Sequence, residues 1–401
     1  MGRARSISIS ILLLILSLHA DAAVKPRFGG NLKAADELLS ALQGQALFTS
    51  VDGAPRPVFP FPYTIEGAVL TVDLGALDPD AFTEVERSLL AVQNPEHACH
   101  WILDYPYLSH HHTTTIEGRD GKLRIEAESP ETLLDILDSP CLLPDPIPAL
   151  QPFIKTQFGY EANPACLAGR PYLDSVTPAP VDPVNPYLSF KLNDADIIPV
   201  PEDRYQQVSR DPDIVLVPGP KYFVILKTDG LSPETAASVA AAIRVADLSR
   251  AVLNGHAEAL LNSPASLPPT QGTRIHITYP EEPPYRLIGE RIEVELREAG
   301  FEISAGGGGV SSIQLRVFPM RTASDDIARY LVLRNILQEA KAPFRANTPW
   351  YEVWEQYEAS GRILPLLMHT STLAARQGIR NLQSGPQGLP DFSVVWREPQ
   401  P

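Results

Sequence analysis

At 401 residues the chain exceeds the length that one hydrophobic core usually serves, so two lobes or domains are expected. Its 48 acidic against 33 basic side chains give a formal charge of -15, which argues against nucleic acid and anionic lipid headgroups as partners. Hydrophobic residues at 44% and charged residues at 20% are ordinary for a globular chain, and the 40 prolines, about twice the usual share, imply many loops and sharp strand ends.

The first stretch, MGRARSISISILLLILSLHADAAVKP, has the layout of an export signal. Arg3 and Arg5 form a basic start, Ile7 to Leu18 an apolar core, and Ala20-Asp21-Ala22 a small-x-small cleavage pattern. An apolar run of this length falls short of the roughly 20 residues needed to span a bilayer. Residues 1–22 are therefore expected to be a cleaved signal peptide. No cysteine follows the cleavage site, so no lipid tether is expected, and the mature protein should be free in the periplasm. Losing two arginines and one aspartate takes the formal charge from -15 to -16.

GAVLTVDLGAL then reads as a strand ending in a turn, and DPDAFTEVERSLLAV as a helix opened by Asp80 or a neighbour, with Phe82, Val85, Leu89 and Leu90 on one face. KLRIEAES alternates Leu123, Ile125 and Ala127 with charged residues, the pattern of a half-buried strand. PETLLDILDSP predicts a short helix with Leu133, Leu134 and Leu137 as its stripe. YLSFKLNDADIIPVP reads as helix and then buried strand. DIVLVPGPKYFVILKT gives two apolar β-rich runs broken by Pro218-Gly219-Pro220, a place for the chain to cross between lobes. SPETAASVAAAIRVADLSRAVLNGHAEALL is the clearest helical region, opened by Ser232-Pro233-Glu234. RIHITY is a strand, YRLIGERIEVELREAG an amphipathic helix closed by Gly300, and FEIS a strand. The run Gly306 to Gly309 lacks the lysine of a P-loop and the spacing of a dinucleotide turn, so it reads as a flexible turn. Helix and strand keep alternating, so the fold class is α/β.

Three cysteines remain in the mature chain, Cys99, Cys141 and Cys166. In an oxidising compartment an odd count permits one bridge and leaves one thiol, and Cys141–Cys166 is the expected pair. HACHWILDYPYLSHHH places His97, Cys99, His100, His110, His111 and His112 in one short stretch, a candidate Zn or Ni site. Its spacing fits no zinc pattern, and CxxCH for covalent haem is absent, so no resident cofactor is expected. Three consecutive histidines on a loop are also accounted for by hydration alone. No G-x-S-x-G, H-E-x-x-H, P-loop or C-x-x-C occurs, so an enzyme is not expected.

Several segments converge in order on one resemblance. NPACLAGRPYLD resembles the N-P-x-Y-x-x-G-x-P-x-L-D stretch of the family 5 extracellular solute-binding proteins, with Asn163, Pro164, Gly169, Pro171, Leu173 and Asp174 in place and Cys166 where an aromatic is usual. LRIEAESPETLLDILDSP, KLNDADIIPVP, VAAAIRVADLSRAVLNGHA, GERIEVELREAGFEI and ILPLLMHT match further family segments, together covering most of the mature chain. The chain departs from the pattern at Ala240, where arginine is usual, at Asp247-Leu248-Ser249, and in a short interval between GFEIS and ILPLLMH.

The resemblance implies a two-lobed periplasmic-binding-protein architecture of type II with an extra N-terminal subdomain. The first lobe would comprise positions 23–221, with a subdomain inserted at about positions 60–125. The second lobe would take positions 222–365, and positions 366–401 would return to the first. The resemblance further implies a receptor of an ABC importer, monomeric, binding a peptide or other small solute in the cleft and delivering it to an inner-membrane permease. In family members a carboxylate pairs with the ligand's amino terminus, a role that would fall to Asp325 or Asp326. Both aspartates also suit the start of the helix DDIARYLVLRNIL. Trp350, Tyr351, Trp354 and Tyr357 have core-facing helical spacing first, and Trp350 and Trp354 are candidates for a ligand-stacking wall second. A scaffold of this type that has lost transport and serves protein interaction is the alternative, favoured by the short interval; Ni, Zn or haem binding is a further one.

Overall fold

A computed structural model describes residues 29–42, 48–51, 54–57, 61–75, 77–108, 112–137, 139, 141, 147–182, 185–261, 272–304, 311–320, 324–340, 348–383 and 389–398. The signal expected at 1–22, the glycine run at 306–309, and His110 and His111 lie outside these residues. Among the described residues no helix is long and apolar enough to cross a membrane.

An 11-stranded mixed sheet organises the chain. Two long strands, Ile214–Asp229 and Ile363–Arg376, run antiparallel through its middle. On one side follow Ile197–Val200, Asn31–Ala35 and Ser175–Ala179, the last two parallel neighbours, and then two short antiparallel strands. On the other side lie Ser311–Met320, Arg274–Thr278 and Glu302–Ser304. A separate four-stranded antiparallel sheet is built from Tyr63–Glu66, Val69–Asp73, Lys122–Glu126 and Thr115–Arg119.

The break at Pro218-Gly219-Pro220 does not end a strand. It is a register shift within Ile214–Asp229, and the strand resumes pairing at Lys221. A Cβ on Gly219 would stand 2.7 Å from the Ser371 hydroxyl of the partner strand, so the close approach requires glycine. Before the shift, Leu216 and Val217 pack with the cores around Leu32, Phe153 and Phe190. After it, alternate side chains enter two other cores. Val224 and Leu226 pack under the helices Pro233–Ala242, Val245–Val252 and Tyr285–Glu298, whereas Phe223 and Ile225 face Tyr330, Trp354 and the small-sheet region. A strand apolar on both faces and covered on both is what period-two alternation gives inside a sandwich of layers.

Local detail completes several expectations. Of the aspartates expected to open the helix Pro79–Ala91, Asp78 is the cap, accepting from the amides of Asp80 and Ala81. That helix buries Ala81, Val85, Ser88 and Leu89 and leaves Leu90 exposed; in Pro130–Leu137, Ile136 is buried and Leu134 is not. The long helical region divides into Pro233–Ala242 and Val245–Val252, because the backbone amide of Arg244 is drawn to the buried Glu295 carboxylate at 2.9 Å. Its end, Ala257–Ala259, is a strand on Ile363–Arg376.

The turn-rich segment after Gly159 is scaffold. Asn163 is buried and its amide nitrogen donates to the carbonyls of Pro148 at 2.7 Å and Gln151 at 2.8 Å, while its oxygen accepts from Ala165 N. Asp174 accepts from Gly30 N at 3.0 Å and pairs with Arg170, tying the loop to the first strand of the sheet.

The expected Cys141–Cys166 bridge is not the one formed. Cys99 and Cys141 are joined, with Cα atoms 5.3 Å apart, and Cys166 is a buried free thiol against the Leu150 carbonyl. Chain separation favoured the shorter loop, but Cys166 is committed to the Asn163 turn while Cys99 and Cys141 lie in one core with Trp101 and Leu137.

Candidate functional site

The segment Trp101–Leu108 and the helix Pro130–Leu137 come from the region of the small sheet; the helices Asp325–Glu339 and Trp350–Ala359 pack against them. The contact is direct. Tyr330 OH donates to Tyr107 O at 3.2 Å, Trp350 N donates to Pro106 O at 3.0 Å, and the rings of Trp101, Tyr105 and Tyr330 meet at centroid distances of 5.1 to 6.2 Å.

Ser324 caps the helix Asp325–Glu339 by accepting from Ile327 N, and its hydroxyl donates to Asp135 Oδ1 at 3.0 Å. Tyr105 OH donates to the other oxygen of Asp135 at 2.6 Å. Burial, with the Asp326 charge adding to it, raises the Asp135 carboxyl above its ordinary value against the opposing pull of those two hydrogen bonds. Burial and the same carboxylate push the Tyr105 phenol far up, so it remains a hydrogen-bond donor throughout the physiological range.

Above this junction is a cavity of about 650 Å³, a usual size for a small-molecule site. Asp326, Trp350 and Trp354 line it, together with Tyr105, Tyr107, Asp135 and Arg329. The structure thus brings three of the four expected ligand residues to one place and leaves Asp325 exposed on the helix start, away from the lining. Trp350 and Trp354 are only 6% and 4% exposed, so each serves the core with most of its surface and the cavity with an edge. Trp354 Nε1 donates to Glu358 at 3.0 Å. Sequence reasoning missed Tyr105, Asp135 and Arg329; the one available signal was a carboxylate on the polar side of the short helix Pro130–Leu137.

A second cavity, of about 520 Å³, lies where the two long strands cross from one set of cores to the other. Tyr205, Lys221, His256, Glu258 and Thr370 line it. Below it a buried polar network joins segments far apart in sequence. His369 Nε2 and Glu202 Oε1 are 3.0 Å apart, and Asn254 Nδ2 donates to both the carbonyl and the carboxylate of Glu202.

Of the expected metal cluster the structure describes His97, Cys99, His100 and His112, and no three metal-ligating side chains among the described residues come together. Cys99 is spent in the disulfide, which removes its thiolate as a ligand. His100 is buried with Nδ1 2.9 Å from Val92 O, His97 Nδ1 accepts from Cys99 N, and His112 lies 3.2 Å from Asp104.

No protein-family model matches the sequence, and no curated protein matches it. Solved structures do. The ABC transporter-associated periplasmic binding protein DppA from Helicobacter pylori, in complex with the peptide STSA, is similar over 93% of this chain and 99% of its own, with a TM-score of 0.61 at 14% identity. MoaA from Agrobacterium tumefaciens R10 in complex with mannopinic acid gives 0.64 at 14% identity over 93% of this chain and all of its own. NikA from Brucella suis in complex with Fe(III)-EDTA gives 0.63 at 11%, with the same coverage.

The chain has the periplasmic binding protein fold. Peptide-binding proteins and NikA, the kinds that the ordered sequence segments resemble, are among these neighbours. In this periplasmic binding protein fold the larger cavity lies where the small-sheet region meets the helices Asp325–Glu339 and Trp350–Ala359.

Proposed function

We propose that the chain is the solute-binding receptor of an ABC importer, secreted to the periplasm by the segment Met1 to Ala22, that holds a small solute in the larger cavity. The observation that carries this reading is the convergence of Asp326, Trp350 and Trp354 with Asp135 and Arg329 on one cavity within this fold. Its action is capture and presentation to a permease in the inner membrane, without covalent chemistry and without a resident cofactor. A peptide is the ligand class that the sequence resemblance implies, and the aromatic and acidic walls are compatible with an amino terminus. Hinge motion would use the two crossing strands, with positions 222–365 moving as one lobe against the rest.

One observation favours the alternative of a scaffold that no longer transports. A single apolar core runs without interruption from Leu70 and Val85 of the small-sheet region to Tyr330 and Trp354. Native mass spectrometry of the protein isolated from its own periplasm separates the two. A stoichiometric small solute released on denaturation is expected; a chain that is empty, and shows no thermal shift with any peptide or amine mixture, would leave the scaffold.

A further inference from the structure

We infer that the larger cavity, beside Asp135 and Trp350, takes an oligocation: a ligand carrying several ammonium groups on a flexible apolar chain, as a lysine-rich peptide or a polyamine does. The inference rests on the cavity being the ligand site and goes on to its chemistry. Six carboxylates line it: Glu128, Glu131, Asp135, Asp326, Glu355 and Glu358; the only basic side chain among its described lining residues is Arg329. None of the six lies in an ion pair among the described residues. Several carboxylates elsewhere, buried or exposed, do pair with cations: Glu295 with Arg244 and Arg291, Asp196 with Arg376 and Arg397, Glu339 with Arg316.

Arg329 can offset at most one of the six charges. It forms no ion pair among the described residues, and its Nε atom is buried with no hydrogen-bond partner. The cavity therefore carries an excess of negative charge that the described residues leave uncompensated. Mutual repulsion of this kind costs folding stability and is removed when a cation enters. Asp135 senses it, since the Asp326 charge contributes to holding its carboxyl up.

The remaining wall suits the same ligand. Tyr107, Trp350 and Tyr351 offer aromatic surface to the cavity, which attracts ammonium groups through the ring quadrupole and receives the methylenes between them. An anionic ligand would meet six carboxylates, and a neutral one would leave them unpaired.

The test is isothermal titration of the full mature chain with trilysine, spermidine and trialanine at low and at physiological salt. We expect one-to-one binding of trilysine, spermidine or both, weakening as salt rises, and little heat from trialanine. The variant combining Glu131→Gln, Asp326→Asn and Glu355→Gln, all at exposed positions, should melt at or slightly above the parent, because repulsion is relieved, and bind the cation about tenfold more weakly. Trilysine alone would identify a peptide source and spermidine alone a free polyamine, and either supports the inference. Trialanine binding as tightly as trilysine, with no loss in the triple variant, would overturn the charge assignment while leaving the cavity as a ligand site. If neither cation binds, the inference falls, and a solute retained in native mass spectrometry would show that the receptor reading survives it.

Discussion

Two polar clusters in this molecule are built around carboxylates and hold them in different ways. At the strand crossing, Glu202 is buried, and both its carboxylate oxygens have partners in His369 and Asn254. At the large cavity, six carboxylates line one wall and no basic side chain among the described residues pairs with them. A saturated buried network fixes the relative positions of the segments that form it. The cavity carboxylates also accept hydrogen bonds, Asp135 from Tyr105 and Ser324 and Glu358 from Trp354, but their charge is left in excess, so a cation that arrives gains electrostatic free energy there.

Replacing Cys99 and Cys141 by serine removes a cross-link over a sequence separation of 42 in the core that also holds Trp350 and Trp354. The chain-entropy estimate puts the loss at about 4 kcal/mol, to be read from urea midpoints of the oxidised parent and the double variant. An unchanged midpoint would mean that packing alone holds the wall. His369→Leu should cost about 3 kcal/mol by the same measurement, because Glu202 would keep its burial and lose one partner. A loss below about 1 kcal/mol would show that this network is not the tie between segments that its geometry implies.

Smaller effects sharpen the contrast at the cavity. The Asp135 carboxyl is held above its ordinary value of 3.8 in the folded protein, so the folded state binds more protons than the unfolded state over the interval above that value. Its contribution is therefore favourable at low pH and falls as pH rises through the folded pKa. Asp135→Asn should flatten that part of the stability-pH curve while keeping an acceptor oxygen for one of the two hydroxyls, Tyr105 or Ser324; a steeper curve would contradict the sign. Glu339 provides the opposite control: beside Arg316 its carboxyl is held below 4.5, so its contribution is present above that pH and lost on acidification. Smallest of all, Asp326→Asn in the ligand-free protein should change stability by no more than about 0.5 kcal/mol, since the side chain is exposed and in no ion pair among the described residues. A larger loss would make it a structural carboxylate.

Much of the architecture was legible because its signals are local. The alternation of Leu123 and Ile125 became a strand with both side chains buried, and Gly300 closes the preceding helix at a φ of 91°. The functional wall was legible only in part. Trp350 and Trp354 announced themselves by helical spacing, yet that spacing served core packing as well, and it could not say that an edge of each would border a cavity. Asp135 carried only the weak signal of a carboxylate on a short helix and Arg329 none, since each is one charged residue on a helix until the opposite element is known.

Local sequence was enough for the α/β alternation, the scaffold turn around Asn163, and the helix starts at Ser232 and at Asp325, because hydrogen bonds within three or four residues decide them. Tertiary structure alone decided the disulfide partner and the composition of the cavity. Tyr107 and Tyr330 are 223 positions apart, and Ser324 reaches Asp135 across 189. Contacts at such separations depend on how every intervening layer packs, so no window of sequence contains them.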